Sequence, residues 1–241
     1  MYKLKKVLLV VCFIIFSACS NTADVTAGND PFENINKNVH EFNKSLDTNF
    51  LKPVSHAYGN SVPKNVRTAL SNFSSNLGEP LRFANHALQG NLSKSSVSAL
   101  RFGLNSTIGL AGLFDIASYI NIFSEETTLD DTFMHWNLPA GPYVELPLFG
   151  PSSIRGSIAK VVEFSTDPIS SSINTSYKFA YYSSVGINVI NTRYVMSETI
   201  DTVLYDSFDS YNATKNIYFQ RFGSISSDSD DESLFTMYSD N

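Results

Sequence analysis

From Phe102 to Phe123 the chain carries one charged side chain, Asp115, among Leu104, Ile108, Leu110, Leu113, Phe114, Ile116, Ile120 and Ile122. The stretch approaches the length of a membrane span. Gly103, Gly109 and Gly112, together with Asn105-Ser106-Thr107, work against a straight spanning helix, since each loosens the helix or puts polar groups at bilayer depth. The pattern predicts two short apolar helices that bend at the glycines. They form either a buried hairpin or a re-entrant or interfacial element in one leaflet. The glycines fit a flexing gate and a tight helix contact equally well.

The N-terminus also points to a membrane. Lys3, Lys5 and Lys6 precede an apolar run from Val7 to Phe16, which is too short to span a bilayer and reads as an export signal over residues 1–18. Phe16-Ser17-Ala18-Cys19 follows. Ordinary signal cleavage wants small residues one and three positions before the cut, and Phe16 is bulky. A lipobox accepts a large apolar residue there, so the pattern resembles that of bacterial lipoproteins. The resemblance implies that Cys19 carries an S-diacylglycerol thioether and an N-acyl chain and forms the new N-terminus. Residues 19–29 are then a lipidated start and a polar linker.

Cleavage removes three of the 17 basic residues and none of the 23 acids, leaving 14 against 23 and a net charge of −9. Such a body is not built to coat nucleic acid or to hold anionic headgroups by charge alone. Cys12 leaves with the signal and Cys19 is consumed by lipid, so no disulfide is expected. The chain has 18 Phe and 12 Tyr against one Trp, an excess that needs a large core or a surface in contact with lipid.

Helical periodicity dominates the rest. Asp30-Pro31-Phe32-Glu33 reads as N-cap, first turn and capping box, followed by an apolar stripe at Phe32, Ile35, Val39, Phe42 and Leu46. A second helix opens at Pro63 and ends at Gly78; a third runs from Pro80 to Gln89; Ser93 caps a fourth whose Val97, Leu100 and Leu104 face inward. Prolines and glycines between Gly141 and Gly156 predict a turn, an extended run at Tyr143 to Leu146 and another turn, a structural brace or a lipid contact. Helix returns after Pro168, and residues 224–241, with five acids and no base, read as a disordered acidic tail. The sequence describes one mainly helical domain over residues 30–223.

Catalytic and metal signatures are missing. His40, His56, His86 and His135 show no paired-ligand spacing, so no metal is expected. No G-x-S-x-G elbow or phosphate-binding loop is present, and His135 four residues after Asp131 suggests a structural hydrogen bond. The chain reads as a non-enzyme with no cofactor beyond the lipid on Cys19.

Ordered motifs carry a family resemblance: Asn29-Asp30-Pro31-Phe32-Glu33 with Asn36 and Phe42-Asn43; Leu70-Ser71-Asn72-Phe73 and Asn76-Leu77; Glu79-Pro80; Leu88-Gln89-Gly90; Arg101-Phe102; Leu104 to Gly109; Gly112 to Ala117; Gly141-Pro142-Tyr143 through Gly150-Pro151 to Arg155; and Tyr218-Phe219-Gln220-Arg221. Together they resemble the VacJ/MlaA lipoproteins. That resemblance implies a helical ring in the inner leaflet of an outer membrane, facing the periplasm, with a central amphipathic channel. Its implied partners are phospholipids misplaced in the outer leaflet, a soluble periplasmic lipid carrier and a trimeric porin. On that reading Leu104, Ile108, Leu110, Leu113, Phe114 and Ile116 face acyl chains. Asn105, Ser106, Thr107 and Asp115 lie on the polar side or bond at the bend, and Tyr143 is a further candidate. A structural lipoprotein without transport activity is the alternative.

Overall fold

The computed structural model describes residues 30–222. The expectations for the signal peptide, Cys19, the linker and the acidic tail lie outside the described residues.

Helix α1 (Glu33–Leu46) runs through a π turn (Asp47–Leu51) into α2 (Lys52–Ser61). Asp30 does not cap α1. The helix begins at Glu33 after a turn in which the Asp30 carboxylate accepts from the Phe32 amide at 3.3 Å. The carboxylate is drawn away by distant partners, Asn36, Tyr211 and Lys215.

Helix α3 (Lys64–Leu88) passes through both Gly78 and Pro80, so the expected second and third helices are one. A glycine costs about 1 kcal/mol and a proline about 3 kcal/mol inside a helix. Tertiary anchors offset this. Glu79 pairs with Arg101 at 2.8 Å, Asn76 donates to Ser106 at 2.9 Å, and Arg82 donates to the Ser75 carbonyl at 2.9 Å. That carbonyl is one position before the one that Pro80 cannot serve. A Cβ at Gly78 would lie 3.2 Å from the Arg82 guanidinium, so the glycine leaves room for it.

Helix α4 (Leu92–Thr107) is capped by Asn91, which accepts from the Lys94 amide at 3.1 Å, two residues earlier than the expected Ser93. The chain then leaves the helix through Leu110, Ala111 and Gly112, at φ of 52°, 60° and 93°. Successive left-handed residues are costly. Here their amides close the helix end: Ala111 bonds to the Ser106 carbonyl at 3.0 Å and Gly112 to the Asn105 carbonyl at 2.7 Å. Only one short turn follows, α5 (Ile116–Tyr119), in place of a second apolar helix.

Next come α6 (Leu129–His135), opened by a Thr128–Asp131 capping box, and a hairpin of β1 (Tyr143–Leu146) and β2 (Gly150–Ser153), with Tyr143 opposite Ser153. Asp131 bonds to Thr128 instead of His135. Then follow α7 (Ile154–Thr166), α8 (Pro168–Ser172), α9 (Thr175–Val195), α10 (Ser197–Asp201), a second π turn (Thr202–Asp206) and α11 (Ser210–Phe222). Contacts form a closed circuit: α1 on β1, the hairpin on α7, α7 on α6, α6 on α3, α3 on α9, α9 on α2, and α2 back to α1 through the first π turn.

The burial pattern is inverted. Among the described residues the buried apolar side chains are Ala117, Leu129, Tyr143, Ala159, Tyr211 and Tyr218, against four times as many buried polar or charged ones. Phe32, Ile35 and Phe42 of the α1 stripe are exposed while Asn36 and His40 are buried. In α4, Leu100 is exposed, Val97 and Leu104 are half-buried, and Ser95, Ser98, Arg101 and Asn105 face in. On both helices the polar face is the buried one, and of the α4 residues expected to face inward Leu100 is exposed while Val97 and Leu104 lie at the margin. No helix among the described residues is long and apolar enough to cross a membrane.

Such a surface should seek lipid without holding the fold together. In a Cys19→Ala background, Phe164→Gln with Phe179→Gln, at positions 70% and 83% exposed, should shift unfolding in detergent by less than about 1 kcal/mol. Flotation with phospholipid vesicles should fall roughly tenfold or more.

Candidate functional site

Polar side chains of the inward faces gather into four networks that join different elements. The first couples α1, β1 and α11. Asn36 Nδ2 donates to the Tyr143 carbonyl at 3.1 Å and its Oδ1 accepts from the Glu145 amide at 2.9 Å. Seven residues on, Asn43 repeats this with the Leu146 carbonyl at 3.0 Å and the Leu148 amide at 2.8 Å. Two side-chain amides on one helical face thus stand in for a neighbouring strand along β1.

Between them His40 Nδ1 lies 3.0 Å from Glu145 Oε1, and its Nε2 lies 2.9 Å from Ser210 Oγ. This has the order of a nucleophile, base and carboxylate. All three are buried, and Lys44 Nζ donates to the same Oγ at 3.4 Å, so the arrangement clasps three elements.

The second network holds the apolar turn. Arg101 Nε meets Glu79 at 2.8 Å, its Nη2 spans both Asp115 oxygens at 3.1 Å, and its Nη1 donates to Ser118 and to the Ile122 carbonyl. Asn105 donates to Asp115 at 3.0 Å and accepts from the Ala117 amide at 3.0 Å. Burial by itself would raise the Asp115 carboxyl. Hydrogen bonds from Ser118, Asn105 and Arg101 outweigh it and hold that carboxyl below the usual range.

In the third, Arg155 Nε bonds to Asp130 at 2.6 Å and Nη1 to the Leu138 carbonyl at 2.7 Å. Glu163 Oε1 accepts from the Leu129 amide at 2.6 Å and from Asn85 at 3.1 Å. Burial pushes the Glu163 carboxyl above its ordinary range despite those donors. The fourth gathers both π turns on one guanidinium. Arg193 pairs with Asp47 through two bonds of 2.7 and 2.8 Å and with Asp201 at 2.6 Å, and Tyr205 donates to Asp47 at 2.7 Å.

The candidate residues divide accordingly. Ile108, Leu110, Leu113 and Phe114 form one exposed apolar surface on the turn, with Leu104 and Ile116 half-buried at its margin. Asn105 and Asp115 lie beneath it, committed to the Arg101 network. Gly109 and Gly112 are packing glycines, since a Cβ would meet the Asn105 carbonyl at 2.5 Å or Asn76 at 2.5 Å; Gly103 faces open space. Tyr143 does not join this surface. It is 1% exposed and packed edge-on against Tyr211 and Tyr218, which corrects any lipid-facing role for it and leaves it as a brace.

Glu79 with Arg101, Asn36 with Asn43, and Arg193 with its acids had no assigned role in the sequence. The available signal was polar periodicity, as in Asn36, His40, Asn43 and in Ser95, Ser98, Arg101, Asn105. Among the described residues no group of three or more His, Cys, Asp or Glu could hold a metal.

A helical body that buries polar side chains and exposes apolar ones, with no helix among the described residues able to cross a membrane, fits a membrane-associated protein. Residues 28–224 match the family described as MlaA lipoprotein. The intermembrane phospholipid transport system lipoprotein MlaA of Escherichia coli K12 is 30% identical over 86% of this chain and 82% of its own length. A protein of Rickettsia felis is 32% identical over 78% of this chain and 74% of its own. A solved structure described as the structural basis for maintenance of bacterial outer membrane lipid asymmetry superposes with a TM-score of 0.71 and 31% identity, covering 80% of this chain and 97% of that one. The chain belongs to the MlaA lipoprotein family.

Two substitutions test the networks. Arg101→Met leaves Asp115 without its guanidinium and Glu79 with only Arg82 at 3.5 Å, and should cost about 3–5 kcal/mol, a fall in Tm of roughly 6–20 °C in detergent. Glu163→Gln keeps an acceptor for Leu129 and Asn85 and should stabilise the fold at pH 7. With its folded pKa raised, the wild-type carboxylate opposes folding above that pKa and stops doing so as pH falls toward the unfolded value. Melting curves from pH 7 downward should therefore converge for wild type and Glu163→Gln.

Proposed function

We propose that this protein is an outer-membrane lipoprotein that removes phospholipids misplaced in the outer leaflet and passes them to a soluble periplasmic carrier, maintaining lipid asymmetry. Acyl chains on Cys19 anchor it to the inner leaflet, facing the periplasm, and a trimeric porin seats it there. The inverted burial carries this reading. A bare charge at the bilayer centre costs ~2.5–3.5 kcal/mol or more, so a headgroup needs a polar passage while its chains stay in hydrocarbon. A helical ring that turns apolar residues outward and ion-paired polar residues inward meets both needs. Leu104, Ile108, Leu110, Leu113, Phe114 and Ile116 lie against acyl chains, with Asn105 and Asp115 holding their turn.

In a bacterium lacking its own family member, this chain should reduce surface-accessible phospholipid, read with a membrane-impermeant amine label. A chain that reaches the outer membrane and leaves the label unchanged is a structural lipoprotein instead. Cys19→Ala should abolish palmitate incorporation and release the protein from the membrane more readily; unchanged labelling rejects Cys19 as the acceptor, because one chain alone gives marginal anchoring and two or three give durable attachment.

A further inference from the structure

Helix α7 has two contrasting sides. Val161 and Phe164 are exposed, whereas Arg155 and Ala159 are buried and Lys160 and Glu163 are half-buried beside them. The guanidiniums of the interior networks already have carboxylates, as Arg155 has Asp130 at 2.6 Å. Among the described residues Lys160 has none within 4.0 Å, and its ammonium reaches the Pro151 carbonyl at 3.4 Å. Asp130 and Glu163 stand near enough to favour its charge, yet each already accepts from other donors. Burial outweighs them and holds the Lys160 ammonium below the ordinary lysine range, and it pushes the Glu163 carboxyl above its own. Lys160 and Glu163 therefore sit on successive turns, opposite in charge, partly desolvated and not bonded to one another. A half-buried ammonium with a single long bond to a carbonyl costs stability unless a ligand supplies a partner, and Glu163, whose donors are both neutral, still lacks a cation.

We propose that Lys160 and Glu163 form a headgroup subsite for a zwitterionic phospholipid, with a phosphodiester oxygen on Lys160 Nζ and the headgroup ammonium against the Glu163 carboxylate. The assignment rests on the transport reading above and adds which headgroup the body holds and where. A purely anionic headgroup would satisfy Lys160 and be repelled by Glu163 and Asp130. One carrying an ammonium beside its phosphate complements both charges.

The test uses the full chain in detergent, exchanged with an equal mixture of phosphatidylethanolamine and phosphatidylglycerol, with bound lipid counted by mass spectrometry. Wild type should retain phosphatidylethanolamine in preference. Lys160→Met should lower both lipids roughly tenfold, the loss of one charge-assisted bond, and Lys160→Arg should restore them. Glu163→Gln, which preserves the fold, should shift the ratio toward phosphatidylglycerol with total lipid little changed. Phosphoethanolamine should compete where inorganic phosphate at the same concentration does not. Unchanged ratios in Glu163→Gln, or competition by inorganic phosphate alone, would overturn the subsite. Wild type that retains no phospholipid at all would instead overturn the transport reading on which it rests.

Discussion

The structure depends on satisfying polar groups away from water. A body that exposes this many Phe, Leu, Ile and Val side chains, set among acyl chains as we propose, gains little from moving them inward, because hydrocarbon is as apolar as a protein core. What holds helices together in such surroundings is the high cost of an unpaired polar group, together with close packing. Each network accordingly joins elements distant in sequence: Asn36 and Asn43 to β1, Glu79 to Arg101, Asp130 to Arg155, Asp47 to Arg193. Removing one member leaves its partner charged and dry, which is why guanidiniums with several bonds, not aliphatic contacts, occupy the joints of the circuit.

The same constraint shapes the apolar turn after α4. Ile108, Leu110 and Phe114 can be held outward only because Asn105, Arg101 and Asp115 lock the backbone beneath them and left-handed residues close the helix end. The bend is thus a rigid platform on a polar base. Gly109 and Gly112 belong to that base by close approach, and neither is placed as a free hinge. The two π turns work similarly: the first brings Asp47 onto Arg193, and the second brings Tyr205 onto Asp47, next to Asp201 on the same guanidinium.

Much of this was legible in the sequence. The glycine-broken run from Phe102 to Phe123 argued against a straight spanning helix, the proline-rich segment marked the extended run at Tyr143 to Leu146 though not its partner strand, and ordered motifs from Asn29 to Arg221 carried the family. Facing direction was not legible. Apolar stripes at Phe32, Ile35, Phe42 and at Leu100 have ordinary amphipathic spacing, and spacing alone does not say whether the solvent beyond is water or lipid. Gly78 and Pro80 suggested a break for the same reason: local propensity carries no record of Arg101 waiting on the next helix.

By itself, then, the amino-acid order determined that this is a chain of amphipathic helices whose run from Phe102 to Phe123 is no straight spanning helix, with one extended run at Tyr143 to Leu146, since those follow from local periodicity and from where glycine and proline fall; the partner strand Gly150–Ser153 did not show in it. Only the tertiary structure decided which face of each helix is the inside, that Tyr143 is buried among Tyr211 and Tyr218, and that Lys160 has no carboxylate partner among the described residues. Those are properties of what packs against a side chain, and the partners come from residues as far apart as Asp30 and Lys215, which meet at 3.2 Å.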